Sequence, residues 1–170
     1  MEWVPQDITR VALGNAPTTI IAAFRQQQVD AFVNVTSLFL SMEEKKTGRV
    51  LAPVSQYAGK LAAGALYASN NLVQTNPGAI RAFLAAWIET IDFIRTHKAE
   101  TVKIESEITG FSESVMSRDY DLTVGMFTKD CRFDAESLAT LKRSFVELNL
   151  LPTEPDMSKL YTEEFLPKKK

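Results

Sequence analysis

The stretch ITRVALGNAPTTIIAAFRQQQVDAFVNV, residues 8–35, decides the predicted fold. It opens with a β-branched, apolar run at residues 8–13 and closes with a nearly continuous one at residues 29–35. Between these runs, Pro17 suits the first turn of a helix that extends over residues 18–28. Nearly continuous apolar strands are typical of a sheet covered on both faces, so the stretch predicts a parallel strand–helix–strand unit.

The same alternation continues outward along the first third of the chain. Residues 37–46 predict a second helix, residues 49–54 a third strand, and residues 65–69 one more short strand. Strands that alternate with helices imply parallel pairing with right-handed crossovers. The expected fold class is therefore α/β, part of a parallel-sheet lobe followed by a helical C-terminal region.

The longest predicted helix begins at Asn76, a good N-cap residue, with Pro77 at the first helical position. From there apolar residues keep helical spacing as far as Ile94. The helical pattern loosens at residues 97–100, resumes at residues 102–108 and stops at Thr109 and Gly110. Further helices are expected at about residues 112–127, 134–148 and 158–165. The aromatic side chains expected to face the core of this helical region are Phe83, Trp87, Phe127 and Phe145.

Composition excludes several classes of function. The 19 Lys and Arg residues against 21 Asp and Glu residues leave no basic field for nucleic acid, and no apolar run approaches a membrane span. Cys131 is the only cysteine, so neither a disulfide nor a cysteine-rich metal site is expected. His97 is the only histidine and lies in a charged run, so a catalytic triad is not expected. Residues 1–5 show no signal peptide. We expect no cofactor, no metal and no enzyme activity.

Two blocks resemble a known family. The first is VALGNAP at residues 11–17 followed by AAFRQQQVDA at residues 22–31, and the second is LYASNNLVQTNP at residues 66–77, which runs into a long helix. Together they resemble the second lobe of periplasmic substrate-binding proteins of ABC importers, in the branch that serves nitrate, sulfonates, taurine and thiamine-pyrimidine precursors. The family carries a glycine where Gln27 stands, and many members carry a tryptophan and a proline near residues 34–37.

The resemblance implies a two-lobed type II periplasmic-binding fold, of which this chain is the C-terminal portion. Residues 1–54 are then part of the second lobe, residues 55–64 a crossing between lobes, and residues 65–170 a returning strand with the C-terminal helices. An ordinary surface loop is the alternative for the crossing. The implied partners are ABC permease subunits, a small ligand and the missing N-terminal lobe, and the full-length relative is periplasmic or extracytoplasmic.

Parallel lobes bind ligands where a strand ends and the next helix begins, and two such corners are predicted here. Their neutral donors suit a carboxylate, a sulfonate, nitrate or a polar heterocycle. The alternatives are that Asn15 and Ser37 are only helix caps, and that Tyr57 of the crossing packs at a hinge rather than on a ligand. The predicted ligand-binding residues of the two corners and the crossing are Asn15, Ala16, Thr18, Asn34, Thr36, Ser37, Gln56 and Tyr57.

The predicted function is capture of such a ligand by lobe closure, with half of the site on this chain. One alternative is a truncated protein that associates with a second copy of itself. The other is an enzyme similar to the pyrimidine synthase of this fold, which depends on cysteine and histidine. That alternative is disfavoured because Cys131 and His97 lie 34 positions apart.

Overall fold

The computed structural model describes residues 5–14, 16–62 and 64–168. The chain forms two compact units, Met1–Arg49 and Val50–Lys170. Helices account for 57% of the described residues, which contain no strand. The prediction of an α/β parallel-sheet lobe is therefore wrong. The predicted boundaries of the crossing between lobes, after residue 54 and after residue 64, stay a prediction.

The first unit is built on two helices. A short 3-10 turn at Pro5–Asp7 precedes α1 (Pro17–Arg25) and α2 (Thr36–Glu44), both close to the predicted positions. Phe32, between the helices, contacts Phe24 of α1 and Phe39 of α2, with ring centroids 5.4 Å and 5.7 Å apart. The buried apolar residues of this unit are Ile20, Ala23, Leu38, Leu40 and Met42.

The four predicted strands, residues 8–13, 29–35, 49–54 and 65–69, are not paired into a sheet. Their apolar side chains are largely uncovered, as shown by Val33, which is 76% exposed, and Tyr67, which is 93% exposed. A helix satisfies its backbone hydrogen bonds within itself, whereas a strand needs a neighbouring edge. The described residues supply no such edge.

The second unit contains the remaining helices: α3 (Ser55–Ala58), α4 (Asn70–Thr75), α5 (Pro77–Thr96), α6 (Lys98–Thr109), α7 (Glu113–Thr123) and α8 (Ala135–Glu147). Single 3-10 turns lie at Val124–Met126 and Met157–Lys159. The predicted start of α5 is confirmed, because the Asn76 side chain accepts a hydrogen bond from the amide of Ala79. Among the described helices we find none with the length and apolar content that a membrane span requires.

The helices α6 and α7 pack closely on each other and form the best-buried part of the second unit. Gly110, with φ of 75°, ends α6 and allows the chain to reverse. The hydroxyl of Tyr120 on α7 donates to the carbonyl of Ile94 on α5 at 2.7 Å, which fixes α7 against α5. The buried apolar residues of this unit are Ile80, Ile91, Val102, Val115, Met116, Tyr120 and Phe165.

The predicted terminal helix at residues 158–165 is wrong beyond the 3-10 turn. The segment is instead fixed by tertiary contacts. Arg132 forms a 2.6 Å ion pair with Glu163, whose other carboxylate oxygen accepts a hydrogen bond from the amide of Phe133 at 3.0 Å. Arg81 lies over the ring of Phe165, 5.2 Å from its centroid. These contacts replace the local hydrogen bonds that a helix would supply.

The prediction that the aromatic residues of the helical region face the core is wrong for most of them. Phe83 is 55% exposed and Trp87 is 36% exposed, and their rings stack on each other at 6.2 Å. Phe127 is also exposed, whereas Phe145 is half-buried. Ile80 and Ile91 are the buried apolar residues of α5, and Phe83 and Trp87 lie between them on the same stripe of the helix. The core therefore covers this apolar stripe only in part.

Candidate functional site

The first predicted corner lies at the start of α1. Asn15 lies outside the described residues. Ala16 is the N-cap residue and has no side-chain group that could accept a hydrogen bond, while Pro17 has no amide to offer. The carbonyl of Ala16 accepts from the amides of Thr19 and Ile20, at 3.1 Å and 3.2 Å. Thr18 and Thr19 are exposed at this end, so the corner offers the amide of Thr18 and two hydroxyls.

The second predicted corner lies at the start of α2 and is richer in donors. Val35 is the N-cap residue, and its side chain cannot cap the helix. No described residue accepts a hydrogen bond from the amides of Thr36, Ser37 or Leu38, and the hydroxyls of Thr36 and Ser37 are likewise unpartnered in the described part of the chain. A helix N-terminus of this kind carries partial positive charge and favours an anion.

The remaining residue of the second corner, Asn34, shapes the approach to α2. Its side-chain oxygen accepts a hydrogen bond from the amide of Val35 at 2.8 Å. This bond holds the chain at the turn into the helix and leaves the side-chain NH₂ group of Asn34 as a further donor. Ser37 stands at the second position of α2 and is not its cap, so the alternative that Ser37 is the helix cap is wrong.

The helices of the second unit provide a contrast. Side chains cap the N-termini of α4, α5, α7 and α8, each by accepting a hydrogen bond from the third residue along. The capping residues are Ser69, Asn76, Ser112 and Asp134. Both helices of the first unit begin without a side-chain cap within the described residues. In the second unit α3 and α6 also begin without a side-chain cap, so an uncapped N-terminus is not confined to the two predicted corners.

Gln56 and Tyr57, the third predicted place, lie in the second unit on the four-residue helix α3. Their amides donate to the carbonyls of Pro53 and Val54, at 3.1 Å and 2.9 Å. Tyr57 is 80% exposed, so it packs against no hinge within the described residues.

A polar cleft that sequence reasoning missed lies at the C-terminal end of α5. It has a volume of about 330 Å³ and is lined by Ile91, Asp92, Arg95, Thr96 and Lys129. Arg95 is held there because its guanidinium donates to the carbonyls of Val124 and Phe127, at 3.2 Å and 3.1 Å. The three-residue spacing of Asp92 and Arg95 indicates a shared side of the helix, but Lys129 comes from a distant loop. No local signal therefore marks this cleft in the sequence.

Cys131 and His97, the two residues that the enzyme alternative requires, both lie in the second unit. Burial, reinforced by the nearby carboxylate of Asp130, raises the pKa of the Cys131 thiol, which disfavours the reactive thiolate. The ring of His97 stacks on Phe93 at 4.5 Å, and its Nδ1 lies 2.8 Å from the hydroxyl of Thr96. No group of three His, Cys, Asp or Glu side chains in the described ranges is arranged to hold a metal ion.

Comparison of the chain with known protein families, with curated proteins and with solved structures found no match.

Proposed function

We propose that this chain is the solute-binding component of an ABC importer and captures a small anion or a polar heterocycle. The observation that carries the proposal is the open N-terminus of α2, where three backbone amides and two hydroxyls have no partner among the described residues. Under this proposal its partners are ABC permease subunits and its location is periplasmic or extracytoplasmic.

The chemistry of this corner supports an anionic group. Backbone amides at a helix N-terminus point along the axis toward the incoming ligand, and the helix dipole favours negative charge there. The donors of Thr36, Ser37 and Asn34 are neutral, so they can hold a carboxylate, sulfonate or nitrate without burying an opposite charge. The same donors can bind the ring nitrogens of a polar heterocycle.

A backbone feature adds support for the resemblance from which the function is inferred. Gln27 has φ of 57°, in the left-handed region that glycine adopts at little cost. At this position the periplasmic substrate-binding proteins that the sequence resembles carry a glycine. The turn that leads from α1 into residues 29–35 therefore has a glycine-like geometry even though its residue is glutamine.

The test is calorimetric titration at low ionic strength with nitrate, taurine, acetate and a neutral aminopyrimidine, using variants at Val35. Val35→Asp supplies a capping carboxylate that occupies the open amides and repels an anion, so we expect binding to weaken by about tenfold or more. Val35→Asn caps without charge and should weaken binding less. Val35→Ala leaves the amides open and serves as the matched control.

Val35 is exposed, and each capping substitution is expected to preserve or strengthen α2, so circular dichroism should show unchanged or greater helix content. Lys129→Gln, in the cleft at the end of α5, controls for binding elsewhere. The proposal fails if the unaltered chain binds none of the four probes saturably. It also fails if Val35→Asp binds them as tightly as Val35→Ala.

A further inference from the structure

Residues 31–35 show the burial pattern of a β-strand although they are in no sheet. Phe32 and Asn34 are half-buried, whereas the alternate residues Ala31, Val33 and Val35 are exposed. Phe32 is directed into the first unit, where it contacts Phe24 and Phe39. Period-two alternation is the pattern of a strand with one face on a core. The opposite face of this segment is apolar and uncovered.

The backbone of the segment is unpaired as well. No N–H or C=O group of residues 29–34 forms a hydrogen bond with a described residue. An extended segment with free donors and acceptors is a template for pairing with another strand. Such a segment gains stability when a second strand supplies the missing hydrogen bonds and covers the apolar side chains.

Residues 8–13 have the same character. They form no helix or turn, their backbone forms no hydrogen bond with a described residue, and Ile8 and Val11 are more than half exposed. β-branched side chains such as these pack well across a pleated surface. The first unit thus carries two segments that are suited to strand pairing and that are not paired with each other.

The two segments carry opposite charges. Arg10 lies within residues 8–13 and Asp30 near the start of residues 29–35, and both side chains are exposed. Neither forms an ion pair with a described residue. Opposite charges on facing strands stabilise a pairing and like charges oppose it, so a pairing of residues 8–13 with residues 29–35 is favoured over a pairing of either segment with itself.

We propose that residues 8–13 of one copy pair as a β-strand with residues 29–35 of a second copy, and that the second copy reciprocates. Because each chain carries both complementary segments, the exchange closes on a two-fold axis and forms a dimer. Each dimer then contains two Arg10–Asp30 contacts. This inference does not depend on the proposed ligand, although its second segment ends at Val35, directly before the open amides of α2.

Charge exchange gives a sharp test. Arg10→Asp alone places two acidic residues opposite each other, and Asp30→Arg alone places two arginines opposite each other. We expect either variant to raise the dimer dissociation constant by about tenfold or more, because both contacts of the dimer become repulsive. An equimolar mixture of the two variants restores both contacts in a mixed dimer and should recover the original dissociation constant.

The measurement is sedimentation velocity or light scattering over a concentration series, with helix content checked by circular dichroism. Lys103→Asp, an exposed position on α6, is the charge-matched control and should leave the dissociation constant unchanged. The inference is overturned if the unaltered chain stays monomeric throughout the series, or if the single variants dimerise normally. It is also overturned if mixing the variants restores nothing, because pairing within one chain cannot be rescued by a second copy.

Discussion

Gln27 is the position at which a substitution tests the local geometry of the first unit most directly. It follows the C-cap of α1 and adopts a left-handed backbone, with φ of 57°. The amide of Gln28 donates to the carbonyl of Ala23 at 2.9 Å, and the amide of Gln27 donates to that of Phe24 at 3.1 Å. This is the Schellman arrangement, in which glycine is the preferred residue.

Gln27→Gly is therefore expected to stabilise the protein. A left-handed backbone costs an L-residue roughly 1–2 kcal/mol, and glycine loses roughly 0.5–1 kcal/mol of additional conformational entropy on folding. The side chain of Gln27 is exposed and forms no hydrogen bond with a described residue, so its removal costs nothing further. The difference predicts a gain of about 0.5–1 kcal/mol, which corresponds to a rise in melting temperature of about 1–4 °C.

Urea denaturation followed by circular dichroism measures the gain. The neighbouring variant Gln26→Gly is the control, because Gln26 has an ordinary φ of −84° and gains no strain relief. It should lose about 0.5–1 kcal/mol. Asn149→Gly, at the left-handed position after α8, should change little because asparagine tolerates this conformation. If Gln27→Gly is destabilised to the same degree as Gln26→Gly, the strain argument is refuted.

Three further predictions concern the second unit. Thr101→Val should stabilise this unit by about 1 kcal/mol, because the buried Thr101 hydroxyl has no hydrogen-bond partner among the described residues. Ser137→Ala should destabilise it, because the Ser137 hydroxyl donates to Asp134, and urea denaturation checks both variants. Asn76→Ala should lower the free energy of unfolding by about 1 kcal/mol through loss of the α5 cap, and Asn76→Ser should recover most of it. Burial, reinforced by the nearby carboxylate of Asp119, raises the pKa of Glu105. The free energy of unfolding therefore falls as the pH rises from the ordinary carboxyl range through the raised pKa, because the folded state resists losing this proton. Glu105→Gln should therefore be more stable than the unaltered chain at neutral pH. In denaturant unfolding measured at a series of pH values, the difference in free energy of unfolding between the two should vanish near pH 4. A difference that grows on acidification would contradict the burial argument.

The longer helices were predictable because their signals are local, whereas the short helices α3 and α4 were not predicted. Asn76 followed by Pro77 marks the start of α5, and Thr109 followed by Gly110 marks the end of α6. A capping side chain or a left-handed residue acts on amides and carbonyls within one turn. Such interactions depend on neighbouring residues alone, so the sequence carries them in full.

The strands were not predictable in the same way because pairing depends on what lies alongside. Residues 29–35 have the composition of a buried strand, and residues 31–35 even have the burial alternation, yet no described segment pairs with them. The candidate site likewise has one part that neighbouring residues determine and one part that depends on a distant segment. The open start of α2 follows from Val35, a residue that cannot cap, whereas the cleft at the end of α5 depends on Lys129 arriving from another segment.

The two proposals meet at Val35, which ends the extended segment and precedes the open amides of α2. A strand that pairs with residues 29–35 fixes the backbone up to the residue at which the ligand is proposed to bind. Ordering this backbone lowers the entropy cost of holding Thr36 and Ser37 around an anion. Since coupling between two binding events is reciprocal, an anion that binds more tightly to the dimer must also favour the dimer by the same factor. Self-association and solute capture in the first unit are therefore expected to reinforce each other.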